Sequence, residues 1–229
     1  MKKILLLIFF ILLAGCGGTK KETIVWDSTA ERGTFTDTRD GKKYKITKIG
    51  EQVWMAENLN YNVNGSKCYG EGGLVYNDES EITLSSSEIQ ANCEKYGRLY
   101  NWSTAMKACP KGWHLPSNAE WDKLYRYADG DKGTSSPYES KMAGKYLKAT
   151  SGWNESGNGE DKFGFSASPG GHSDSGGNFG NVGYNGTWWS SLEYDSSYAC
   201  YRDISNYYDG AYWNDFDKSN LYSVRCVRD

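Results

Sequence analysis

Cysteine thiols are the side chains of this chain that could do the widest range of chemistry. The sequence contains six cysteines and two histidines, and the first cysteine, Cys16, stands apart from the others. The other five are Cys68, Cys93, Cys109, Cys200 and Cys226. No two cysteines have the two-residue spacing typical of zinc sites, and neither histidine stands beside such a pair. The pattern therefore argues against a structural zinc site and favours disulfides with one thiol left over.

Cys16 follows a segment with the features of an export signal. Lys2 and Lys3 precede an unbroken apolar run over residues 4–14, and the sequence Leu-Ala-Gly-Cys ends at Cys16. The run is too short to span a bilayer, and the ending resembles the bacterial lipobox. We therefore predict a signal peptide over residues 1–15 and a lipid on Cys16. The alternative is an ordinary signal peptide in which Cys16 has no role.

A lipid on Cys16 would make the membrane a partner of this chain. Gly17, rather than an aspartate, follows the cysteine, and by analogy with other lipoproteins this predicts the outer membrane. Residues 16–36 carry few periodic apolar residues, so we expect a lipidated tether there and a folded domain over residues 37–229.

Composition limits the remaining classes. The formal net charge of -3 argues against a nucleic-acid partner, which would require a basic face. Aromatic residues make up 15% of the chain, and 27 glycines accompany 4 prolines. We therefore expect a core built of rings, with short elements rather than a long helical bundle.

The elements that would position these residues are short. Alternating apolar residues predict a β-hairpin that turns near Gly50 and Glu51. Helical spacing predicts one helix over residues 101–108 and a second that starts at Ser117 with a capping box to Glu120. A short third helix is expected over residues 141–148, and β-structure with long loops from residue 152 onward. Residues 60–92 are polar and rich in turns, and a disulfide between Cys68 and Cys93 would close that loop.

Several segments resemble the sequence motifs of a known family and occur in the same order. They are IGEQVWMAENLNYN, YGRLYNWSTAMKACPKGWHLPSNAEWDKL, GFSASPGG, NVGYNGTWWSS and LYSVRCVRD. Together they resemble the Fibrobacter succinogenes major paralogous domain over residues 37–229. Members of that family are typically exported or lipid-anchored and of uncertain function.

The resemblance implies an α+β, C-type lectin-like fold of the type shared with formylglycine-generating enzymes. That fold has two main helices, short antiparallel strands and long loops rich in glycine and tryptophan. It also implies a disulfide between Cys109 and Cys226, with Cys68 and Cys93 as the second pair and Cys200 as the spare thiol.

Two resemblances bear on chemistry. The segment around Cys200 is similar to the region of formylglycine-generating enzymes that holds one of two copper-binding cysteines, but Asp195 stands where the second cysteine would be. Trp213, Asn214 and Asp215 are similar to the calcium-binding element of sugar-binding C-type lectins, although the companion Glu-Pro-Asn or Gln-Pro-Asp loop is absent from the sequence. We predict no catalytic residue and no cofactor, with calcium as the alternative.

Aromatic residues near the C-terminus are the candidate ligand surface. The ligand-binding candidates are Trp188, Trp189, Tyr212, Trp213, Asn214 and Asp215, with Tyr207 and Tyr208 beside them. Flat rings with nearby amides and carboxylates are typical of sugar binding, whereas the competing interpretation places these rings in the core. We also expect His114 to be a hydrogen-bonded structural residue, and residues 172–175 to be a solvated loop.

The function predicted from these features is a non-catalytic binding or adhesion module, exported and anchored by lipid, with extracellular polysaccharide as the favoured ligand. The alternatives are an enzyme related to the formylglycine-generating group and a purely structural envelope protein.

Overall fold

The computed structural model describes residues 23–77, 80–130 and 139–229. The predicted signal peptide and Cys16 lie outside these residues. The helices are α1 Ser86–Tyr96, α2 Trp102–Ala108, α3 Asn118–Ala128 and α4 Ala143–Leu147. The strands before α3 are β1 Thr23–Trp26, β2 Arg32–Thr36, β3 Lys43–Ile49, β4 Gln52–Met55, β5 Ser66–Lys67, β6 Val75–Asn77, β7 Ser80–Ile82, β8 Leu99–Tyr100 and β9 Trp113–His114. Those after α3 are β10 Glu139–Ser140, β11 Gly170–Ser173, β12 Phe179–Val182, β13 Asn185–Glu193, β14 Tyr198–Ser205, β15 Ala211–Asp217, β16 Tyr222–Ser223 and β17 Val227–Arg228.

Two sheets organise the described residues into a mixed α and β architecture. The smaller sheet has the order β1-β2-β3-β4-β17-β9, so the last strand of the chain lies between β4 and β9. The larger sheet has the order β10-β15-β14-β13-β11-β12-β6-β7, and β5, β8 and β16 join it to one side. None of the helices in the described ranges is both long enough and apolar enough to cross a membrane.

The end of the predicted tether belongs to the smaller sheet. Strands β1 and β2 pair with each other, and β2 pairs with β3, so residues 23–36 extend the sheet. Phe35 is buried, lies opposite Tyr44 and packs on Trp113 with ring centroids 5.1 Å apart. The predicted tether is therefore too long at its C-terminal end. Few apolar residues surround Phe35 in the sequence, so the burial of its ring was not evident from the sequence pattern.

All three predicted helices are confirmed. Helix α3 begins after Ser117, whose side chain accepts a hydrogen bond from the Glu120 backbone while the Glu120 side chain returns to the Ser117 backbone. Helix α2 begins after Asn101, and α4 is a short helix inside residues 141–148. The predicted hairpin is also present, with Gly50 at φ 61° in the turn between β3 and β4.

Helix α1 was not predicted. It lies within residues 60–92 and just beyond, which we expected to be loop, and it starts with a second capping box between Ser85 and Glu88. Only Cys93 and Tyr96 of this helix are buried. So narrow an apolar stripe leaves little helical periodicity in the sequence.

Strand β13 separates two parts of the core. Neighbouring residues of a strand point to opposite faces, and here both faces are covered. Trp188 packs with Trp54, Trp121 and Phe165, whereas Trp189 packs with Tyr100 and Tyr222 on the other side. Both tryptophans are 0% exposed, and their indole nitrogens donate to Asn58 Oδ1 and to the Tyr100 carbonyl.

Both predicted disulfides are confirmed. Cys109, the C-cap of α2, is bonded to Cys226 just before β17, and Cys68 is bonded to Cys93 of α1. Cys109 and Cys226 are 117 positions apart in the sequence. Their bond therefore joins the first half of the domain to the residue before its last strand. Cys200 is the remaining cysteine of the described residues, and it is buried.

Candidate functional site on the central sheet

Strands β13, β14 and β15 form an antiparallel unit whose two faces differ in chemistry. Residues directly opposite each other on paired strands share a face. Cys200 lies opposite Asp215, and Arg202 lies opposite both Trp188 and Trp213. We call this side the helix face, because α3 covers it.

The other side, which we call the tyrosine face, carries polar and aromatic side chains. Its residues are Asn185, Tyr201, Asp203, Tyr212 and Asn214. Asn214 is exposed and the other four are half-buried. Trp189 and Ala199 lie on the same side nearer the β13–β14 turn and are covered by the core, whereas Phe216, opposite Ala199, is exposed.

Asp203 is the central charged group of the tyrosine face. Its carboxylate accepts hydrogen bonds from the Asn185 amide at 3.0 and 3.2 Å, and it forms no ion pair with any described residue. Burial raises the pKa of Asp203 to about 6, and the hydrogen bond from Asn185 opposes that shift. Among the described residues, Asn185 is the side chain that donates to this carboxylate.

Tyrosine rings flank this carboxylate. Tyr212 lies directly opposite Asp203, and its ring contacts that of Tyr208 edge-on at 6.0 Å between centroids. Tyr201 lies two residues before Asp203 and packs on Tyr222 at 4.9 Å. Tyr208 is 59% exposed, which extends the aromatic surface beyond the end of the sheet.

His172 borders the tyrosine face from β11. Its ring contacts Tyr222 edge-on at 5.8 Å, and its Nδ1 is buried with no hydrogen-bond partner among the described residues. Burial lowers the pKa of His172, which favours the neutral imidazole. We expected residues 172–175 to form a solvated loop, but His172 and Ser173 are strand residues and Ser173 is buried.

The helix face is arranged differently. Arg202 is 1% exposed, forms an ion pair with Asp122 of α3 at 2.9 Å and donates to the Asn118 carbonyl at 3.0 Å. Its charge is neutralised inside the fold, as a buried guanidinium requires. This pair fixes helix α3 to the sheet.

Cys200 also lies on the helix face. It is 1% exposed, and burial raises the pKa of its thiol. The other cysteines of the described residues are in disulfides, so no second thiol among these residues stands beside Cys200. A pair of thiolates, which the resemblance to copper-binding cysteines would need, is therefore not assembled here.

The strand also divides the tripeptide that resembles a calcium site. Asn214 points to the tyrosine face, whereas Trp213 and Asp215 point to the helix face. No group of three or more His, Cys, Asp or Glu side chains in the described ranges could hold a metal ion. Along β15 the side chains of Asn214 and Asp215 therefore leave the strand in opposite directions.

The predicted ligand-binding residues are divided in the same way. Trp188 and Trp189 are core residues, and their burial removes them from any surface that could contact a ligand. Tyr212 and Asn214 remain on the tyrosine face. Asn185, Tyr201 and Asp203 were not predicted as ligand-binding residues, although tyrosine and aspartate at alternate positions of the β14 segment YACYRDIS are a signal for a polar strand face.

Comparison with known proteins places this arrangement in a family. No curated protein and no solved structure matches the chain. The family model described as Fibrobacter succinogenes major domain matches residues 47–228, which include α1 to α4, both disulfides and the whole tyrosine face. The chain therefore belongs to the Fibrobacter succinogenes major domain family.

Proposed function

We propose that this protein is a non-catalytic binding module that holds neutral polysaccharide on its tyrosine face. The observation that carries the proposal is the half-buried Asp203 carboxylate, which has no cationic partner among the described residues and lies between Tyr201 and Tyr212. Vicinal sugar hydroxyls donate to such a carboxylate, while a tyrosine ring packs on the apolar face of a pyranose.

The charge of the face favours neutral sugars over acidic ones. Asp203 would repel an anionic ligand, since no arginine or lysine of the described residues neutralises it. Asn185 and Asn214 add amide groups that both donate and accept hydrogen bonds. A neutral, polyhydroxylated chain matches this set of groups.

The proposal includes a C-type lectin-like fold and an outer-membrane anchor. The disulfide between the end of α2 and the last strand supports the lectin-like fold, because lectin-like domains commonly carry that link. The apolar run before Cys16 supports the lipid anchor. Labelled palmitate should enter the full chain expressed in bacteria and should not enter the Cys16→Ala variant, and equal labelling of both would contradict the anchor.

A retention assay on insoluble polysaccharides tests the binding function. We expect the full chain, solubilised in detergent, to bind cellulose or xylan, and Tyr212→Ala and Asp203→Ala each to weaken binding about fivefold or more. Tyr194→Ala is the matched control, because Tyr194 is 61% exposed at the far turn of the β13–β14 hairpin. The proposal would be overturned if the chain were retained on neither polymer, or if all three variants lost binding equally.

A further inference from the structure

A second cleft, lined by none of the tyrosine-face residues, has the opposite electrostatic character. It encloses about 290 Å³ between the start of β3, the end of α1 and the segments around residues 151 and 168. Four lysines and two glutamates are among its lining residues, namely Lys42, Lys43, Lys45, Lys95, Glu57 and Glu94. The cleft is thus locally positive in a chain whose formal net charge is -3.

The lysines are available to a ligand. All four are exposed, and none makes an ion pair with a described residue. Both glutamates accept hydrogen bonds from uncharged groups: Glu57 from the backbone of Lys45, another lining residue, at 2.7 Å, and Glu94 from the Gln90 amide at 3.0 Å. The glutamates therefore reduce the positive potential of the cleft without neutralising particular ammonium groups.

A buried arginine lies beneath the floor of the cleft. Arg225 is 0% exposed and donates to Asn58 Oδ1, at 3.0 Å from Nε and 2.7 Å from Nη2. Its other acceptors are the carbonyls of Met55, Phe165 and Ser166. Asn58 and Ser166 line the cleft, so the guanidinium lies one residue behind its surface.

Arg225 differs from most buried cations because all of these acceptors are neutral oxygens. Burial lowers the pKa of Arg225 to about 9, which still leaves the guanidinium protonated at neutral pH. The carboxylates of Glu57 and Asp161 stabilise its charge through space, without a hydrogen bond to the guanidinium, and Glu57 also lines the cleft. The lysine-lined cleft lies on the other side of Asn58 and Ser166, which both contact the guanidinium.

We propose that this cleft binds an oxyanion carried by an acidic saccharide, with the lysine ammonium groups as direct contacts and Arg225 as a buried source of positive potential. The polar floor of Asn58, Ser166 and Ser168 suits the hydroxyls of the sugar that bears the anion. The shared chemistry is an anionic oxygen on a sugar ring, and it can come from a uronate carboxylate or from a sulfate ester. The protein would then hold neutral chains on the tyrosine face and acidic chains in the cleft.

Isothermal titration of the full chain in detergent, at low salt, tests this assignment. The probes are a galacturonate oligomer, a sulfated oligosaccharide and a neutral oligosaccharide of equal length. We expect one or both acidic probes to bind this cleft and to weaken as salt is added, because the lysines are exposed to screening. Binding of the galacturonate alone would identify carboxylate as the source, and binding of the sulfated probe alone would identify sulfate.

Variants of opposite sign separate the cleft from general attraction. Lys45→Gln and Lys95→Gln should each weaken binding about two- to fivefold, and Glu94→Gln should strengthen it by a similar factor, since it removes a repulsive charge and retains an amide oxygen for Gln90. Lys107→Gln is the matched control, because Lys107 is an exposed lysine on α2 outside the cleft. Failure of both acidic probes to bind, a loss with Lys107→Gln equal to that with Lys95→Gln, or no gain with Glu94→Gln would overturn the proposal.

Discussion

Arg202 and Asp203 are neighbours on β14, yet they meet opposite environments. Arg202 points to the helix face and is neutralised by Asp122 at 2.9 Å. Asp203 points to the tyrosine face, where its side-chain partner is the neutral amide of Asn185. A buried charge with a counter-ion supports the fold, whereas a half-buried charge without one is a candidate for binding.

Breaking the ion pair of the helix face should have the largest effect. Asp122→Ala is expected to lower the free energy of unfolding by about 3 kcal/mol, because it leaves Arg202 buried without a counter-charge. The measurement is urea unfolding at neutral pH with the disulfides intact. Glu51→Ala is the control, since it removes the exposed pair with Lys123 on the same helix and should cost under about 1 kcal/mol. Equal losses in both variants would contradict the structural role of the Arg202–Asp122 pair.

Neutralising the acid of the tyrosine face should act in the opposite direction. The pKa of Asp203 is raised, so the folded state favours its protonated form, and stability is lost as pH rises through about 6. Asp203→Asn should therefore raise the free energy of unfolding by about 2 kcal/mol at pH 7.5 and change it little near pH 4. The difference between variant and wild-type unfolding curves at the two pH values measures this. A destabilised variant at pH 7.5 would show that Asp203 has a counter-ion after all.

The two histidines also differ in whether a hydrogen-bonded carboxylate is present, and their substitution should change stability less than the changes at Asp122 and Asp203. His114 is hydrogen-bonded as expected, to Asp229 at 2.6 Å and Glu120 at 2.7 Å. Burial lowers the pKa of His114, but these two carboxylates outweigh it and raise the pKa above its ordinary value. Its contribution to stability is then present below about pH 6.5 and is lost as pH rises through the folded-state pKa.

His114→Gln should thus destabilise the protein at pH 5.5 by less than about 1 kcal/mol, since the pair is partly exposed and screened, and should have no effect at pH 9. His172→Gln should show the reverse trend, because the lowered pKa of His172 makes its contribution decline as pH falls. Thermal unfolding of both variants across this pH range is the measurement. Identical pH trends for the two variants would contradict the assigned environments.

Local sequence signals predicted much of the fold. The Ser117 and Glu120 capping box, followed by the apolar face of α3, and the alternation around Gly50 both act within a few residues, so they are legible without tertiary information. The pairing of Cys109 with Cys226 was implied by family resemblance. Helix α1 escaped because its buried stripe is only Cys93 and Tyr96.

The candidate site was harder to predict because it depends on pairing between distant segments. Because Trp188 and Trp189 are neighbours on β13, their rings point to opposite faces, and one ring would be exposed if one face were open. The sequence does not reveal that a part of the core covers each face. Asp203 is a half-buried carboxylate that accepts from the Asn185 amide, and Asn185 lies 18 positions earlier in the chain. These surroundings are a property of β13, β14 and β15 together.

NMR mapping of a bound neutral sugar shows whether the tyrosine face is its binding site. A neutral oligosaccharide from the retained polymer would be titrated into the isotope-labelled full chain in detergent micelles. We expect chemical-shift changes at Tyr201, Asp203, Tyr212 and Asn214, and none at Tyr194 or in the lysine-lined cleft. Shifts confined to residues outside the tyrosine face, or none at saturating sugar, would contradict this expectation.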